Sequence, residues 1–427
     1  MWISRVSLAL CLALLLTAAL TGCIPEELPV DSNDVVESEE SDSGSGNDSS
    51  DESSPETPTA NEPEDETTVS MPLLPATEFD YVAYADTNLP GHFRNGPNGV
   101  VTVVQQDNTP ADNPITNAGA TLGRVLFYDV NLSANNAVSC ASCHQQEVGF
   151  SDPDTLSTGF QGGLTGRHSM SLSNNRFYEP GNFFWDHRAD TLEDQVLMPI
   201  EDTVEMGMTL EDLEVKLAEL PYYAELFTNA FGDDAITSDR ISKALAQFTR
   251  AMVSYQSKYD QAFEQSQPGQ GPAFAEVFTA DEEAGRLLFE QGPPDGGAGC
   301  GACHAGVAQI TDEAHNIGLD VTNIDEGAGN GRFKVPSLRN IAVSAPYMHD
   351  GRFESLAEVI NHYDSGVQNN PDLDPILRNP INGQPARLNL SDQQKQQLEA
   401  FLNTLTDDAL LTSGLFADPF PSEDTDI

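Results

Sequence analysis

Apolar residues recur every three or four positions in several stretches of the chain, a spacing that gives a helix one hydrophobic face. Few segments alternate apolar and polar residues as a half-buried strand would. The sequence therefore predicts a mainly α protein. The clearest apolar faces comprise Ile241, Leu245, Phe248 and Met252; Leu356, Val359, Ile360 and Tyr363; and Leu398, Phe401, Leu402 and Leu405.

Three predicted helices begin with a capping box, in which Ser or Thr is followed three residues later by Glu or Gln. In the helix that begins after Ser355, the spacing puts Tyr363 on the buried face and turns His362 away from it. The three boxes are Thr279-x-x-Glu282, Ser355-x-x-Glu358 and Ser391-x-x-Gln394.

The N-terminus has a different pattern. Arg5 precedes a mostly apolar run over residues 6–20, which is typical of a signal peptide. The run ends in Leu20-Thr21-Gly22-Cys23, which resembles a bacterial lipoprotein cleavage box. Residues 1–22 are therefore predicted to be removed and Cys23 to be lipidated; the alternative is an ordinary secretory peptide with an incidental cysteine. Because Ile24 rather than Asp follows, we expect an anchor on the periplasmic side of the outer membrane, or at the cell surface.

Residues 23–75 lack the hydrophobic side chains that a core needs. Between residues 24 and 70 there are sixteen acidic residues and no Lys or Arg, which predicts a disordered acidic tether. Residues 413–427 are predicted to form a second acidic tail, frayed from Asp418 to Ile427.

The whole chain is strongly acidic, since 68 Asp and Glu against 19 Lys and Arg give a formal net charge of −49. Binding to nucleic acid or to anionic membranes needs clustered basic residues. The composition therefore argues against nucleic acid as a partner.

Four of the six cysteines form two copies of one motif, Cys140-Ala141-Ser142-Cys143-His144 and Cys300-Gly301-Ala302-Cys303-His304. C-x-x-C-H is the attachment pattern of c-type haem, in which both thiols form thioethers and the His ligates iron. A zinc site would prefer four Cys or His ligands, without an obligatory His after each pair, and a disulfide would not require that His either. Two c-type haems are therefore predicted, with His144 and His304 as iron ligands.

The surroundings of the two motifs repeat as well. Gly123-Arg124-Val125-Leu126-Phe127 precedes the first motif and Gly285-Arg286-Leu287-Leu288-Phe289 precedes the second, and an amphipathic helix follows each. The repeat predicts two tandem cytochrome-c-like domains, at residues 76–265 and 266–412, each with one haem.

Five further motifs make residues 117–406 similar to the bacterial di-haem cytochrome c peroxidases, a family that includes the MauG-type enzymes. They occur in the family's order. The motifs are Phe184-Trp185-Asp186-x-Arg188-Ala189, Gln195-x-x-x-Pro199-Ile200, Val204-Glu205-Met206-Gly207, Val335-Pro336-Ser337-Leu338-Arg339-Asn340 and Ala345-Pro346-Tyr347-Met348-His349-Asp350-Gly351.

The resemblance implies that the N-terminal haem is peroxidatic, with a vacant iron position, and that the C-terminal haem transfers electrons. Glu205 would be the acid–base group that moves a proton between the peroxide oxygens. Gln195 would orient peroxide or water, and Pro199 would shape the pocket. The alternative for Glu205 is a solvated acid in an acidic chain.

Many peroxidases of the family carry a His after the first haem motif that blocks the iron until the other haem is reduced. Here that position falls at or near Phe160, which cannot ligate iron. The first haem is therefore expected to stay five-coordinate, as in the MauG-type branch; His168 and His187 are the alternative ligands. Trp185 lies in the segment between the two haems and is expected to transfer electrons, unless it is only an aromatic wedge at a domain interface.

The resemblance also assigns groups around the second haem. The sixth ligand, Met in the peroxidases and Tyr in the MauG-type branch, matches Tyr363, with Met348 as the alternative. A calcium ion lies between the haems of relatives, and its two backbone ligands match Ser344 and Pro346. Its Asn ligand is replaced by His168, a poor ligand for a hard cation.

The expected function is reduction of hydrogen peroxide to water at the first haem, with electrons relayed through the second haem from a small cytochrome c or cupredoxin. The alternative is MauG-type oxidation of a side chain in a partner protein, which Phe160 and Tyr363 favour. A third hypothesis is a pure electron-transfer cytochrome.

Overall fold

The computed structural model describes residues 70–95, 101–267, 270–310 and 313–420. The signal peptide, Cys23 and nearly all of the acidic tether lie outside these ranges. Within them, no helix combines the length and the hydrophobicity needed to cross a bilayer.

Helices dominate the described chain, which confirms the mainly α prediction. The only strands in these ranges, β1 Ala314–His315 and β2 Phe333–Lys334, form one antiparallel pair. The α-helices are α1 Gly91–Arg94, α2 Asn117–Tyr128, α3 Cys140–Cys143, α4 Leu192–Gln195, α5 Met198–Glu201, α6 Leu210–Glu219, α7 Tyr223–Phe231, α8 Ser238–Arg250, α9 Lys258–Glu264, α10 Phe274–Val277, α11 Ala280–Glu290, α12 Leu356–Asn361, α13 Asp392–Asn403 and α14 Asp408–Thr412. The π-helical segments are Ala83–Thr87 and His362–Gly366, and the 3₁₀ segments are Val103–Gln106, Val130–Leu132, Gln146–Val148, Asn175–Phe177, Pro293–Asp295, Cys300–Ala302 and Pro375–Leu377.

The predicted capping boxes begin α11, α12 and α13. In each, the hydroxyl of the first residue accepts a hydrogen bond from the backbone N–H three residues later, and the Glu or Gln at that position accepts one in return. These side chains satisfy backbone donors that the first helical turn leaves unpaired.

Two separate clusters of buried hydrophobic residues form the interior. The first contains Ile241, Leu245 and Phe248 of α8 and Met252, which follows the helix, all 1% exposed or less. The second contains Leu398, Phe401, Leu402 and Leu405 from α13 and the residue that follows it. The faces predicted from the spacing are therefore buried.

The Gly-Arg-x-Leu-Phe repeat has the same packing role in both clusters. A Cβ added to Gly123 would lie 2.0 Å from the carbonyl oxygen of Ala244, and one added to Gly285 would lie 1.8 Å from that of Gln397. The missing side chain lets α2 pack directly on α8, and α11 on α13. Four residues after each glycine, a phenylalanine ring packs against a phenylalanine ring of the partner helix. The ring centroids of Phe127 and Phe248 are 5.4 Å apart, and those of Phe289 and Phe401 are 5.1 Å apart.

Helix α9 packs with the second cluster rather than the first. Tyr259 and Ala262 of this helix belong to the same buried set as Phe401. We expected the boundary between the two domains after residue 265. In the structure the chain passes from the first core to the second before α9. The sequence offers no break there, because the Pro- and Gly-rich stretch that suggests one follows α9.

The expected acidic tail from residue 413 is wrong for its first part. Phe416 is completely buried in the first cluster, against Tyr81, Phe150 and Phe248. Burial of this ring ties the segment to the core. Residues 421–427 lie outside the described part.

The expectation that His362 turns away from the core is also wrong. His362 is 7% exposed, and its Nε2 lies 3.0 Å from the carbonyl oxygen of Ile317. The α-helical pattern assumed one constant twist, whereas a π-helical turn begins at His362. The wider turn changes the direction of successive side chains, and both His362 and Tyr363 face inward.

Candidate haem sites

The first C-x-x-C-H motif forms one short helical turn. Ser139 caps α3, and the backbone N–H of His144 donates to the carbonyl oxygen of Cys140 at 3.0 Å. The imidazole Nδ1 of His144 lies 2.9 Å from the carbonyl oxygen of Phe150, which it can reach only as an N–H donor. This bond fixes the tautomer and leaves Nε2 as the unprotonated, metal-ligating nitrogen.

The second motif repeats this backbone turn. The N–H of His304 donates to the carbonyl oxygen of Cys300 at 3.0 Å. Burial lowers the pKa of His304 to about 4 and also lowers the pKa of His144. Both imidazoles are therefore neutral at pH 7, as an iron ligand must be.

Burial acts on the thiols of three of the four motif cysteines. It raises the pKa values of Cys140 and Cys300 to about 12 and that of Cys143 to about 11. A pair of thiols beside a neutral histidine is the donor set that a covalently attached haem requires. Both motifs therefore fit a c-type haem.

A largely apolar cavity of about 480 Å³ lies beside the second motif. Residues that are far apart in the sequence meet there, and the cavity suits a flat, apolar cofactor. Its lining includes Trp185, Cys300, Cys303, His304, Met348 and Tyr363.

Both candidate sixth ligands of the second haem line this cavity. Met348 is held at a φ of +77°, an uncommon conformation for a non-glycine residue. Burial raises the pKa of the Tyr363 phenol, and the thiols of Cys303 and Cys300 raise it further. Ligation as phenolate would therefore require the metal to displace the proton.

The loop that carries Glu205 packs against Phe160. The backbone N–H of Phe160 donates to the carbonyl oxygen of Glu205 at 2.9 Å. A Cβ on Gly207 would lie 2.3 Å from the ring of Phe160, and Gly207 has a φ of +65°. Only glycine avoids a clash with the Phe160 ring and adopts this positive φ without strain. Because Gly207 has no side chain, the Phe160 ring lies directly on the loop.

Glu205 is half-buried near the thiols of Cys140 and Cys143, whose pKa values its charge raises. Burial raises the pKa of Glu205, the carboxylate of Asp202 raises it further, and Arg188 lowers it. The half-buried position contradicts the alternative of a fully solvated acid. A raised pKa suits a group that must both accept and return a proton near neutral pH.

Gln195 and Pro199 lie on α4 and α5, two short helices that contact each other just before the Glu205 loop. Helix α4 is anchored through Glu193. Both carboxylate oxygens of Glu193 accept from Arg250 of α8, at 2.6 and 2.9 Å, and Arg250 is only 2% exposed. A bidentate, buried pair of this kind fixes orientation as well as distance, so the backbone that carries Gln195 is firmly held.

Trp185 connects the second cavity to the first motif through hydrogen bonds. Its Nε1 donates to the carbonyl oxygen of His168 at 2.8 Å, and the His168 Nε2 lies 3.2 Å from the Ser151 hydroxyl. The Ser151 carbonyl accepts from the backbone N–H of Gln145, the residue next to His144. An indole placed in this way can serve electron transfer as well as packing.

The two alternative ligands of the first haem both have other partners. The ring nitrogens of His168 lie 3.2 Å from the Ser151 hydroxyl and 3.2 Å from the Thr155 carbonyl oxygen. Nε2 of His187 lies 2.8 Å from the hydroxyl of Tyr178. These contacts argue against either histidine as an iron ligand.

One of the three candidate calcium ligands, His168, does not fit a calcium ion. Ser344, Pro346 and His168 all line the second cavity, but His168 offers an imidazole where calcium requires oxygen. The carbonyl oxygen of His168 already accepts from Trp185. The described residues contain no cluster of three or more acidic, His or Cys side chains that would hold a metal ion.

Two features of the sites have no sequence motif that could have predicted them. The Lys334 side-chain nitrogen is buried, 3.1 Å from the centre of the Tyr178 ring, and donates to the carbonyl oxygen of Asn182. Burial lowers the pKa of this amine. Nδ1 of His315 lies 2.6 Å from Asp374; hydrogen bonding with Cys303, together with Asp374, raises the pKa of His315 to about 9. Both arise from tertiary contacts between distant segments.

A family model described as di-haem cytochrome c peroxidase matches residues 117–268. The methylamine utilization protein MauG of Methylophilus methylotrophus is 33% identical over 309 residues, which are 70% of this chain and 86% of that protein. The cytochrome c551 peroxidase of Nitrosomonas europaea is 34% identical over 258 residues, which are 56% of this chain and 71% of that protein.

A similar structure has also been solved, that of a MauG-like protein associated with microbial copper homeostasis. It has a TM-score of 0.65 and 29% identity to this chain, and the match covers 76% of this chain and 99% of the other. Sequence relatives and fold thus agree with the two haem-attachment motifs. The chain belongs to the di-haem cytochrome c peroxidase family, a family of oxidoreductases that act on peroxide.

Proposed function

We propose that the protein reduces hydrogen peroxide to water at a five-coordinate haem on Cys140, Cys143 and His144. The observation that carries this proposal is the packing of Phe160 on the Glu205 loop, where a side chain that cannot bind iron occupies the aligned position of a blocking ligand. The two hydrophobic cores, each with one motif and one Gly-Phe helix crossing, support tandem cytochrome-c-like domains.

The haem, when bound, supplies the redox chemistry and a vacant position for peroxide. Glu205 accepts a proton from one peroxide oxygen and returns it to the other, which leaves as water. Gln195, on the anchored helix α4, orients the peroxide, and Pro199 shapes the pocket.

A second haem would be held by Cys300, Cys303 and His304, with Tyr363 as a further ligand, and would supply the electrons. Trp185 would conduct them between the two haem sites. A small cytochrome c or cupredoxin supplies them, and the negative charge of the chain favours a basic donor. We place the reaction in the periplasm, with a lipid anchor at Cys23.

The test is peroxide-dependent oxidation of reduced cytochrome c by the holoprotein. Glu205→Gln removes the proton acceptor without changing the size of the side chain, and the rate should fall about 10²- to 10⁴-fold. Glu201→Gln, an exposed neighbour in the same acidic segment, is the matched control and should keep the rate. Equal rates for wild type and Glu205→Gln would reject the peroxidase assignment.

A MauG-like oxidation of a side chain in a partner protein is the second candidate. The presence of Tyr363 in the second cavity favours it, because phenolate stabilises highly oxidised iron. This function predicts peroxide-dependent modification of a partner protein, detected by mass spectrometry, together with slow turnover of reduced cytochrome c.

A further inference from the structure

Two tyrosines share one carboxylate oxygen in the first hydrophobic core. The hydroxyls of Tyr222 and Tyr223 donate to Oδ2 of Asp129, at 2.7 and 2.6 Å. Their ring centroids lie 4.6 Å apart with an interplanar angle of 48°. The two phenols are thus in contact with each other and with a single proton acceptor.

The other oxygen of this carboxylate is already occupied. Oδ1 of Asp129 accepts from the backbone N–H and from the side-chain amide of Asn131, at 2.8 and 2.7 Å. Asp129 is 2% exposed. Its Oδ2 is therefore held toward the two phenols and away from solvent.

The pair extends from the first haem site toward the surface. Tyr223 has no exposed surface, whereas Tyr222 keeps 7% of its surface exposed. Tyr223 belongs to the buried cluster against which Cys140 packs. Burial and Asp129 raise the pKa of Tyr223, and Cys140 adds to this rise. Cys140 is one of the two haem-attachment thiols, so Tyr223 is the inner member of the pair and Tyr222 the outer one.

We propose that Tyr223 and Tyr222, with Asp129 as their common base, form a redox relay between the edge of the first haem site and the protein surface. The proposal rests on the proposed function, since peroxide is the oxidant. Tyr223 gives one electron to the peroxide-oxidised site and its phenolic proton to Oδ2 of Asp129, and becomes a neutral tyrosyl radical.

The second step moves the radical outward. Tyr222 gives one electron to the Tyr223 radical and its own proton to Oδ2, while the proton already on Oδ2 returns to Tyr223. Asp129 holds one proton before and after this step, so no proton crosses to solvent. An external one-electron reductant then reduces the Tyr222 radical, which recovers its proton from Asp129. The relay gives the first site an electron path that does not use Trp185 or the second haem.

Two other tyrosines in the described part of the first core, Tyr81 and Tyr84, donate to backbone carbonyl oxygens instead. The Tyr81 hydroxyl donates to the carbonyl oxygen of Leu415 at 2.8 Å, and the Tyr84 hydroxyl donates to that of Val253 at 2.8 Å. A backbone carbonyl accepts a hydrogen bond but is far too weak a base to take the proton. Tyr81, completely buried in the same core, is therefore a matched control.

The test is electron paramagnetic resonance of the holoprotein frozen seconds after addition of one equivalent of hydrogen peroxide. Ring-deuterated tyrosine identifies a tyrosyl signal by the loss of its proton hyperfine splitting. Wild type and Tyr81→Phe should show the signal, and Tyr222→Phe/Tyr223→Phe should lose it. Tyr222→Phe alone should keep the signal, but ascorbate should quench it more slowly than in wild type.

Two results would overturn the relay: an unchanged tyrosyl signal in the double variant, or no tyrosyl signal in a wild-type protein whose haem absorption responds to peroxide. If peroxide leaves the haem absorption of wild type unchanged, the proposed function fails and the relay fails with it. Asp129→Asn, which keeps a hydrogen-bond acceptor but removes the base, should also lose the signal while Tyr223 stays in place.

Discussion

Glu205 is acted on by charges of opposite sign from its own loop and from a neighbouring one. Burial and Asp202 raise its pKa, whereas Arg188 lowers it. Oδ1 of Asp202 also accepts the backbone N–H of Glu205 at 3.1 Å, so the same residue shapes the loop and tunes the acid. The pKa of Glu205 is therefore set by burial and by a small number of identifiable charges.

This arrangement predicts the pH dependence of peroxide turnover. The reactive form of Glu205 is the carboxylate, so kcat/KM for peroxide should fall on the acid side with an apparent pKa above 4.5, the ordinary value for Glu. Asp202→Asn keeps the loop hydrogen bonds through its amide oxygen but removes the negative charge. The acid-side fall of kcat/KM should therefore move to lower pH in this variant. Asp212→Asn, an exposed acid on α6, is the control. If the acid-side fall of kcat/KM occurs at the same pH in Asp202→Asn as in wild type, the titration of Glu205 does not cause it.

The sequence predicted the candidate site residues that belong to contiguous motifs. Cys300, Cys303 and His304 form a recognisable unit, and Tyr363, matched by family spacing, lies in the same cavity. It could not identify the Phe150 carbonyl that orients His144, or the carboxylate shared by Tyr222 and Tyr223. The first contact depends on the exact path of the short loop after the motif, and the second forms only after segments far apart in the chain have packed together.

At the scale of the elements, one glycine in each motif-bearing core controls a helix crossing. Gly123 and Gly285 occupy equivalent positions of the internal repeat, and each faces a backbone carbonyl of the partner helix. Backbone cannot move aside as a flexible side chain can. The internal repeat therefore includes a glycine that the helix packing needs, in addition to the haem motif.

Gly123→Ala and Gly285→Ala should each destabilise the protein, by about 1–3 kcal/mol or more because of overpacking. Alanine is the better helix former in isolation, so a loss of stability would have to come from the crossing. Thermal unfolding measures the effect, with Gly166→Ala as control because a Cβ there meets nothing within 4 Å. Unchanged or raised melting temperatures would contradict the assigned role.

The sequence predicted the faces of the long helices better than the ends of elements. The apolar stripe of α8 lies buried as its spacing indicated. The π-helical turn at His362 and the burial of Phe416 depend on local widening of a helix and on a distant core, respectively. Neither leaves a periodic signal.

At the scale of the whole molecule, a buried ion pair joins distant parts of the chain. Arg339, which is 0% exposed, donates through Nη2 to Oδ1 of Asp260 at 2.9 Å, and to the Val307 carbonyl close to the second haem motif. His92 Nε2 lies 2.8 Å from the same Oδ1. The pair therefore holds α1, α9 and the loop after the second motif in one arrangement.

Asp260→Asn should cost about 3–5 kcal/mol of unfolding free energy, because it leaves the Arg339 charge buried without its partner. Asp325→Asn, in a more exposed pair with Arg167, should cost about 1 kcal/mol or less. Chemical denaturation measures both. Similar losses for the two variants would contradict the structural role of the buried pair.

The pH dependence of this stabilisation follows from the sign of the pKa shift. Burial raises the pKa of Asp260, but the Arg339 charge and the hydrogen bonds with His92 and Arg339 lower it by more than burial raises it. The pKa of Asp260 in the folded protein therefore lies well below the ordinary value of 3.8. The contribution is fully present above that ordinary value and is lost as the pH falls from it through the folded pKa. The difference between wild type and Asp260→Asn should therefore be constant near neutral pH and shrink below about pH 4.

The spin states of the resting ferric holoprotein test the central claim most directly. If Phe160 leaves the first iron without a sixth protein ligand, optical and electron paramagnetic resonance spectra should show one high-spin and one low-spin haem. Phe160→His, which introduces a ligand at that position, should convert the high-spin component to low spin. Two low-spin haems in the wild-type protein would contradict the account.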